Sequence, residues 1–154
     1  MDFGFTEEQQ MRQDMAKNFA VNEIRPTLED DEKNHRFRPE IAAKMGALSF
    51  FGCALPEDYG GNGFGFLESV ILAEQIAKVS GSWRLPFNMQ NLGTAVTVNQ
   101  FGTEEQKQRF IPGWVSTEAV GFFAMTEPNT GSDVVRSEER RVGKECRSRW
   151  SPDL

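Results

Sequence analysis

A short apolar run followed by small and hydroxyl-bearing residues lies between Gly121 and Asp133, which reads G-F-F-A-M-T-E-P-N-T-G-S-D. The apolar half has the length and composition of a buried strand, and the second half contains the proline, asparagine and glycine of a turn. A strand that opens into such a loop presents hydroxyl and backbone N–H groups to oxygen atoms, such as those of a phosphate or a polar ring edge. An ordinary strand-to-turn connection has the same composition, so spacing alone leaves both interpretations open.

The segment A-M-T-E-P-N-T-G-S-D resembles the flavin-binding signature of the acyl-CoA dehydrogenase family, which is T-E-P, two variable residues and G-S-D. The similarity extends from Met1 to Val135, and Thr130 departs from a pattern that more often has Ala or Gly there. In the family this segment begins the middle β domain and lines FAD. The resemblance therefore implies FAD as cofactor, an acyl-CoA thioester as substrate, electron-transferring flavoprotein as electron acceptor and a homotetramer for the full-length form.

The resemblance also assigns roles by position. Three residues would contact the flavin ring, namely Phe123, Met125 and Thr126. Gly131 and Ser132 would approach the pyrophosphate, and Ser132 would also touch the acyl-CoA.

The family reaction is α,β-dehydrogenation, in which a glutamate removes the α proton while the β hydrogen passes as hydride to flavin N5. In the family that glutamate lies on a C-terminal helical domain, beyond residue 154. No catalytic residue and no metal ligand is therefore expected in this chain. Glu127 is the glutamate of T-E-P in the signature, but we expect it to stabilise the turn.

Arg84 begins the apolar stretch R-L-P-F-N-M-Q-N-L-G, and charged residues at helix ends are often solvated or ion-paired. An arginine followed by such a helix resembles the corresponding segment of glutaryl-CoA dehydrogenases, including their non-decarboxylating relatives. There the arginine pairs with the free carboxylate of the acyl chain, to which a guanidinium offers two parallel hydrogen bonds. Ring-acyl-CoA dehydrogenases look similar at this point. The resemblance thus implies a substrate that is a glutaryl-CoA-like dicarboxylic or a short cyclic acyl-CoA.

The elements that must position these residues are predicted to be helices. Thr6 and Gln9 fit a capping box, and a helix is predicted from about 7 to 29, with an end or kink near Arg25 because Pro26 follows. The charged residues 29–38 are predicted to form a solvated connection. Pro39 is predicted to start a second helix that ends near Gly46.

The next part, residues 48–66, is predicted to be irregular, with three core anchors at Phe50, Phe51 and Leu55. Its L-P-E-D-Y-G-G-N-G is similar to the family's stretch after the second helix. Further helices are predicted over about 66–79, 83–101 and 104–111. Pro86 is expected in a first turn, and Pro112 with Gly113 is expected to end the last helix.

The predicted fold class is therefore an all-α N-terminal domain of five to six helices, followed by the first strand of a truncated β domain. The expected boundaries are 1–115 for the helical domain, 116–135 for the start of the β domain and 136–154 for a tail. The strand, Gly121 to Thr126, would be unpaired and prone to aggregate.

The tail, residues 136–154, is rich in charge and has a net charge of +2. Residues 1–135 carry a net charge of −8, which gives −6 for the whole chain. A basic amphipathic helix and a nucleic-acid-binding arm are possible interpretations. The run to Pro152 also resembles the translation of a sequencing-library adapter, so we expect a truncated gene with a non-native tail. Such a fragment is expected to be inactive and to hold FAD weakly, since only one wall of the pocket is encoded.

Composition excludes several classes of protein. The acidic body argues against nucleic acid as the main partner, and no apolar run approaches the ~18 residues of a membrane span. The N-terminus shows no secretory signal, so a cytoplasmic location is expected. An alternative function is a non-catalytic helical interaction domain with a basic tail, which the downstream codons of the gene would distinguish from an enzyme.

Overall fold

The computed structural model describes residues 4–122 and Ser132. The chain divides into two compact units, Met1–Phe122 and Phe123–Leu154, and all the helices described here lie in the first. The predicted strand lies largely outside the described residues. Its first two residues, Gly121 and Phe122, are in neither helix nor strand.

Five long helical runs make up the first unit, which confirms the predicted all-α domain. They are α1 (Glu7–Phe19), a first π-helical segment (Ala20–Ile24) and α2 (Arg25–Lys33) in one run; α3 (Pro39–Ala47); α4 (Phe66–Val79); α5 (Gly81–Asn88), a second π-helical segment (Met89–Val96) and α6 (Thr97–Phe101) in one run; and α7 (Glu104–Val115). A short 3₁₀ turn (Glu57–Tyr59) interrupts the connection before α4. Within the described part, no helix combines the length and the apolarity that crossing a bilayer would require.

Two of these helices begin with the reciprocal hydrogen bonds of a capping box. At α1, Gln9 N–H donates to Thr6 Oγ1 over 3.2 Å, and Thr6 N–H donates to Gln9 Oε1 over 3.0 Å. At α7, Thr103 and Gln106 make the same pair of bonds, of 2.8 and 3.3 Å. Each box satisfies two backbone N–H groups that a helix start would otherwise leave unpaired, which explains why both starts were predictable from sequence.

The first helical run continues past the point where it was predicted to end. It passes Pro26 and stops only at Lys33. Arg25 N–H donates to Ala20 O, five residues back, so the hydrogen-bond register widens immediately before the proline. The proline ring therefore lies at a joint between two helix types, where the missing N–H and the ring cost less than inside a regular α-helix.

The prediction of a solvated connection over residues 29–38 was wrong in part. Asp31 is only 5% exposed, and its Oδ2 accepts a 2.6 Å hydrogen bond from Arg38 Nε. Arg38 also lies 3.7 Å from Asp30 and from Glu40. The hydrogen bond from Arg38 holds the pKa of the Asp31 carboxyl below its usual value. His35 is exposed, as expected, in a left-handed conformation with φ of 50°.

The main core joins the first helical run to α3, α4 and α5. Its buried members include the three aromatic rings of Phe19, Phe50 and Phe87, and Phe19 meets Phe50 edge-on at 5.3 Å. A second, smaller cluster contains Leu55, Ala95, Ile111 and Val115. The predicted anchors Phe50, Phe51 and Leu55 are all buried, which is confirmed by their positions in these two clusters.

Two prolines lie deeper in helices than their sequence context indicated. Pro86 is the sixth residue of α5, beyond its first turn, and Pro112 lies inside α7 instead of ending it. The last turn of α7 persists because Ile111 and Val115 are buried in the second cluster. Tertiary burial of apolar side chains thus outweighs the cost of a helix-interior proline, which is about 3 kcal/mol in isolation.

We expect Asp31→Asn to make the free energy of unfolding less dependent on pH in the acid range. Because the pKa of Asp31 is lowered in the folded state, the unfolded state binds more protons below about pH 5, and the ion pair's contribution is lost as pH falls. Urea unfolding at a series of pH values should show the wild-type free energy of unfolding falling more steeply than that of the variant, which is already less stable at pH 7.

Asp14→Asn is the matched control, since Asp14 is exposed on α1 and makes no ion pair with any residue described. Its free energy of unfolding should depend on pH in the acid range as that of the wild type does. An Asp31→Asn curve that parallels the wild type would show that the pair contributes nothing to the acid dependence.

Candidate functional site: a polar helix that holds the entry to the flavin signature

The second π-helical segment carries three buried polar side chains inside an otherwise apolar helical run. They are Gln90, Asn91 and Thr94. Burial of a polar group is unfavourable unless it is hydrogen-bonded, so the partners of these side chains define what this segment holds together. π-Helical turns occur often at functional sites, so this segment is a candidate for a functional role.

Gln90 binds the chain that leaves α7. Its Nε2 donates to Trp114 O over 2.7 Å and to Ala119 O over 2.8 Å, and its Oε1 accepts from Gly121 N–H over 2.8 Å. One amide therefore joins the last turn of α7, at Trp114, to two backbone groups of the linker that follows it, Ala119 O and Gly121 N–H. Gln90 itself is 5% exposed, so water does not compete strongly for these bonds.

Thr94 forms the surface on which Gly121 lies. A Cβ atom added to Gly121 would come within 2.5 Å of Thr94 Oγ1 and 2.8 Å of its Cβ. Only glycine fits this approach without a shift of the backbone. Thr94 is itself fixed, because its hydroxyl donates to Gln90 O over 3.0 Å and lies 3.2 Å from Met89 O.

Asn91 connects the same segment to the irregular loop and to α4. Its Oδ1 accepts from Gly52 N–H over 3.1 Å, and its Nδ2 donates to Ser69 Oγ over 3.3 Å. Gly52 adopts φ of 88°, a conformation that glycine reaches without steric cost. The fully buried Asn91 thus fixes the second π-helical segment relative to the rest of the helical domain.

Arg84, the predicted substrate-binding residue, is the fourth residue of α5 and is exposed. Its guanidinium makes no ion pair with the described residues. One helical turn later, Asn88 has a buried Oδ1 with no hydrogen-bond partner in the described part of the chain. Arg84 is six residues before Gln90 on one helical run, roughly 9 Å along the axis.

The predicted flavin contacts Phe123, Met125, Thr126 and Gly131 lie outside the described residues, as does Glu127. Ser132 is described, and it is exposed. The roles assigned to these residues therefore stay predictions.

Sequence reasoning missed Gln90, Asn91 and Thr94. A signal was present, because Gln90 and Asn91 are adjacent polar residues in the apolar stretch F-N-M-Q-N-L-G-T-A-V. Two neighbouring amides cannot both point away from the core of a helix that is buried on several sides. Their partners, however, are backbone groups that only the folded chain brings near.

A family model described as the N-terminal domain of acyl-CoA dehydrogenase matches residues 6–118. This chain belongs to the acyl-CoA dehydrogenase family. The glutaryl-CoA dehydrogenase of Desulfococcus multivorans is 41% identical over 138 residues, which are 88% of this chain and 36% of that protein. The resemblance inferred from the flavin signature is thereby confirmed.

Solved structures of the family agree with the helical fold. The structure of a glutaryl-coenzyme A dehydrogenase in complex with glutaryl-CoA has a TM-score of 0.83 and 39% identity over 87% of this chain and 35% of that one. The acyl-CoA dehydrogenase of Bacillus anthracis complexed with FAD has a TM-score of 0.80 and 30% identity, over 86% of this chain and 23% of that one. The chain spans about a third of the length of the curated relative described above.

We expect Asn91→Ala to destabilise the helical domain by about 1–3 kcal/mol, because it leaves the buried Gly52 N–H without a partner. Chemical denaturation of the 154-residue chain measures this loss. Asn99→Ala on α6 is the control, since the Asn99 side chain has no hydrogen bond to a described residue and should change stability by no more than about 0.5 kcal/mol. Equal losses for the two variants would mean that the Asn91 bonds are not stabilising.

Proposed function

We propose that this chain is the N-terminal part of an FAD-dependent acyl-CoA dehydrogenase that acts on a short acyl-CoA, with glutaryl-CoA or a cyclic acyl-CoA as the substrate. The observation that carries the proposal is Arg84, whose exposed guanidinium has no anionic partner among the described residues. The same helical run anchors the linker to the flavin signature through Gln90. Arg84, the proposed partner of the substrate carboxylate, and Gln90, which binds the linker, thus lie on one helical run.

A free carboxylate is the group that an arginine in this position recognises best. Its two oxygens can each accept a hydrogen bond from one planar guanidinium. This pair of charge-assisted hydrogen bonds is stronger and more directional than a hydrogen bond to a neutral group. Arg84 forms no salt bridge with the described residues, so no such bond has to break before a substrate carboxylate binds. The glutaryl-CoA-bound relative supports a dicarboxylic acyl group as the first candidate.

FAD would accept the β hydrogen as hydride. The residues proposed to hold it are Phe123, Met125 and Thr126 at the ring, with Gly131 and Ser132 at the pyrophosphate. Ser132 is exposed, which is compatible with a contact to a ligand. It would also contact the acyl-CoA.

The remaining parts of the reaction are proposed to come from elsewhere in the enzyme. The glutamate that removes the α proton would lie beyond residue 154, as it does in the family, so the 154-residue chain alone is proposed to be inactive. Electron-transferring flavoprotein is the proposed electron acceptor, and the full-length form is proposed to be a homotetramer. Arg84 would orient the acyl chain so that its α and β carbons meet the base and the flavin.

A chimera tests the proposed function. Residues 1–135 of this chain replace the matching part of the Desulfococcus multivorans enzyme, to which they are 41% identical over the compared region. The chimera should bind FAD stoichiometrically and reduce an artificial electron acceptor with glutaryl-CoA. A well-folded chimera without flavin would favour a non-catalytic interaction domain instead.

In this chimera, Arg84→Ala and Arg84→Lys should each lower kcat/KM for glutaryl-CoA by roughly tenfold or more, the worth of a charge-assisted hydrogen bond. Butyryl-CoA lacks the distal carboxylate, so its kcat/KM should barely change. Arg25→Ala, at an exposed arginine of α2, is the control and should leave both substrates unaffected. Equal losses on the two substrates, or none, would make Arg84 a solvated residue of a helix end.

The hydroxyl groups of the signature can be tested in the same chimera. Thr126→Val and Ser132→Ala should weaken binding of FAD or acyl-CoA by about 0.5–3 kcal/mol, because each removes one hydrogen-bonding partner. Flavin fluorescence and substrate titrations measure the two affinities. Ser82→Ala, at an exposed position of α5, is the control. Unchanged affinities in both signature variants would remove these hydroxyls from the binding site.

A further inference from the structure

We propose that Gln90 is a positioning residue for the flavin-binding segment: its amide sets the path by which the chain enters that segment. The inference rests on the proposed function, since it requires that Phe123, Met125 and Thr126 contact flavin. Gln90 itself lies on the second π-helical segment and is assigned no contact with flavin or substrate.

The three hydrogen bonds of Gln90 join the last turn of α7 to two points of the linker, residues 116–122. They reach Trp114 near the end of α7, Ala119 in the turn that follows and Gly121 two residues before Phe123. Among the described residues, the linker's own hydrogen bonds are local, such as that from Ala119 N–H to Gly113 O over 3.0 Å. Gln90 is therefore the side chain that connects the last turn of α7 to these two points of the linker.

This task requires a neutral amide. Gln90 donates twice through Nε2 and accepts once through Oε1, and a carboxylate could not make the two donations. A thioether of similar length could make none of them effectively. Gln90 is buried and its three hydrogen bonds are part-buried, so a backbone group that loses this partner is compensated by water only as far as its own exposure allows.

Thr94 restricts the linker from the other side. Its side chain lies so close to Gly121 that even one added carbon would meet it at 2.5 Å. Gly121 is thus held by a hydrogen bond from its N–H and by steric contact at its Cα. Two residues of chain span at most roughly 7 Å, so the position of Gly121 limits how far away Phe123 can lie.

The first experiment measures amide hydrogen exchange at Gly121 in the 154-residue chain. Gln90→Met should accelerate this exchange by roughly tenfold or more, the value of one net hydrogen bond or better. The control is Gln75→Met. Gln75 is also 5% exposed, but it lies on α4 and its amide donates to Glu74. Gln75→Met should leave the Gly121 amide as protected as in the wild type.

The second experiment measures FAD affinity in the chimera. Gln90→Met should raise the Kd for FAD by roughly tenfold or more, whereas Gln75→Met should leave it unchanged even if both variants lower Tm. Gly121→Ala provides an independent route, because it displaces the linker without altering Gln90. Gly121→Ala should reproduce the loss of FAD affinity. It also keeps the inference testable if the Gln90→Met variant does not fold.

The outcomes separate the inference from the function on which it rests. If the wild-type chimera binds FAD and both Gln90→Met and Gly121→Ala bind it equally well, the positioning role is wrong and the proposed function stands. If Gln75→Met loses as much FAD affinity as Gln90→Met, the effect is general destabilisation and the inference is overturned. If the wild-type chimera binds no FAD, the proposed function fails, and the inference fails with it.

Discussion

Burial of a side-chain amide is unfavourable unless its polar atoms are hydrogen-bonded, and this constraint organises the C-terminal half of the helical domain. Gln90 meets it with the backbone of Trp114, Ala119 and Gly121, and Asn91 meets it with Gly52 and Ser69. These partners come from four separate parts of the chain. Hydrogen bonding of two adjacent residues thus fixes the irregular loop, α4 and the exit from α7 against one helix.

The widened turns of the second π-helical segment place those amides where they are needed. A regular α-helix advances by 100° per residue, whereas the i→i−5 register of a π-helix turns less per residue and lets neighbouring side chains share a face more closely. Gln90, Asn91 and Thr94 are all buried on this segment. The first π-helical segment does a different task, since it lets the first helical run pass Pro26 and bring Asp31 to Arg38.

Apolar packing then decides which local signals are followed. α7 continues through Pro112 because Ile111 and Val115 are buried with Leu55 and Ala95. The loop before α4 is equally constrained, because a Cβ on Gly61 would lie 2.3 Å from Leu55 O. Gly61, which lies in the segment predicted to be irregular, therefore permits close packing of backbone against backbone. Both cases put the small second cluster next to the linker that Gln90 binds.

The sequence by itself determined the helical class, both capping boxes, the bounds of α4 and the buried anchors Phe50, Phe51 and Leu55, because these depend on local chemistry and on periodicity. It also identified the family through the flavin signature, which the comparisons confirmed. Only the tertiary structure decided the ion pair of Asp31 with Arg38, the extension of the first helical run to Lys33 and the roles of Gln90 and Asn91. The roles of Gln90 and Asn91 depend on groups far apart in the sequence, such as the Gly121 N–H that Gln90 binds 31 residues away. No local pattern encodes such a partner, since an amide can bond to any backbone group that folding brings within reach.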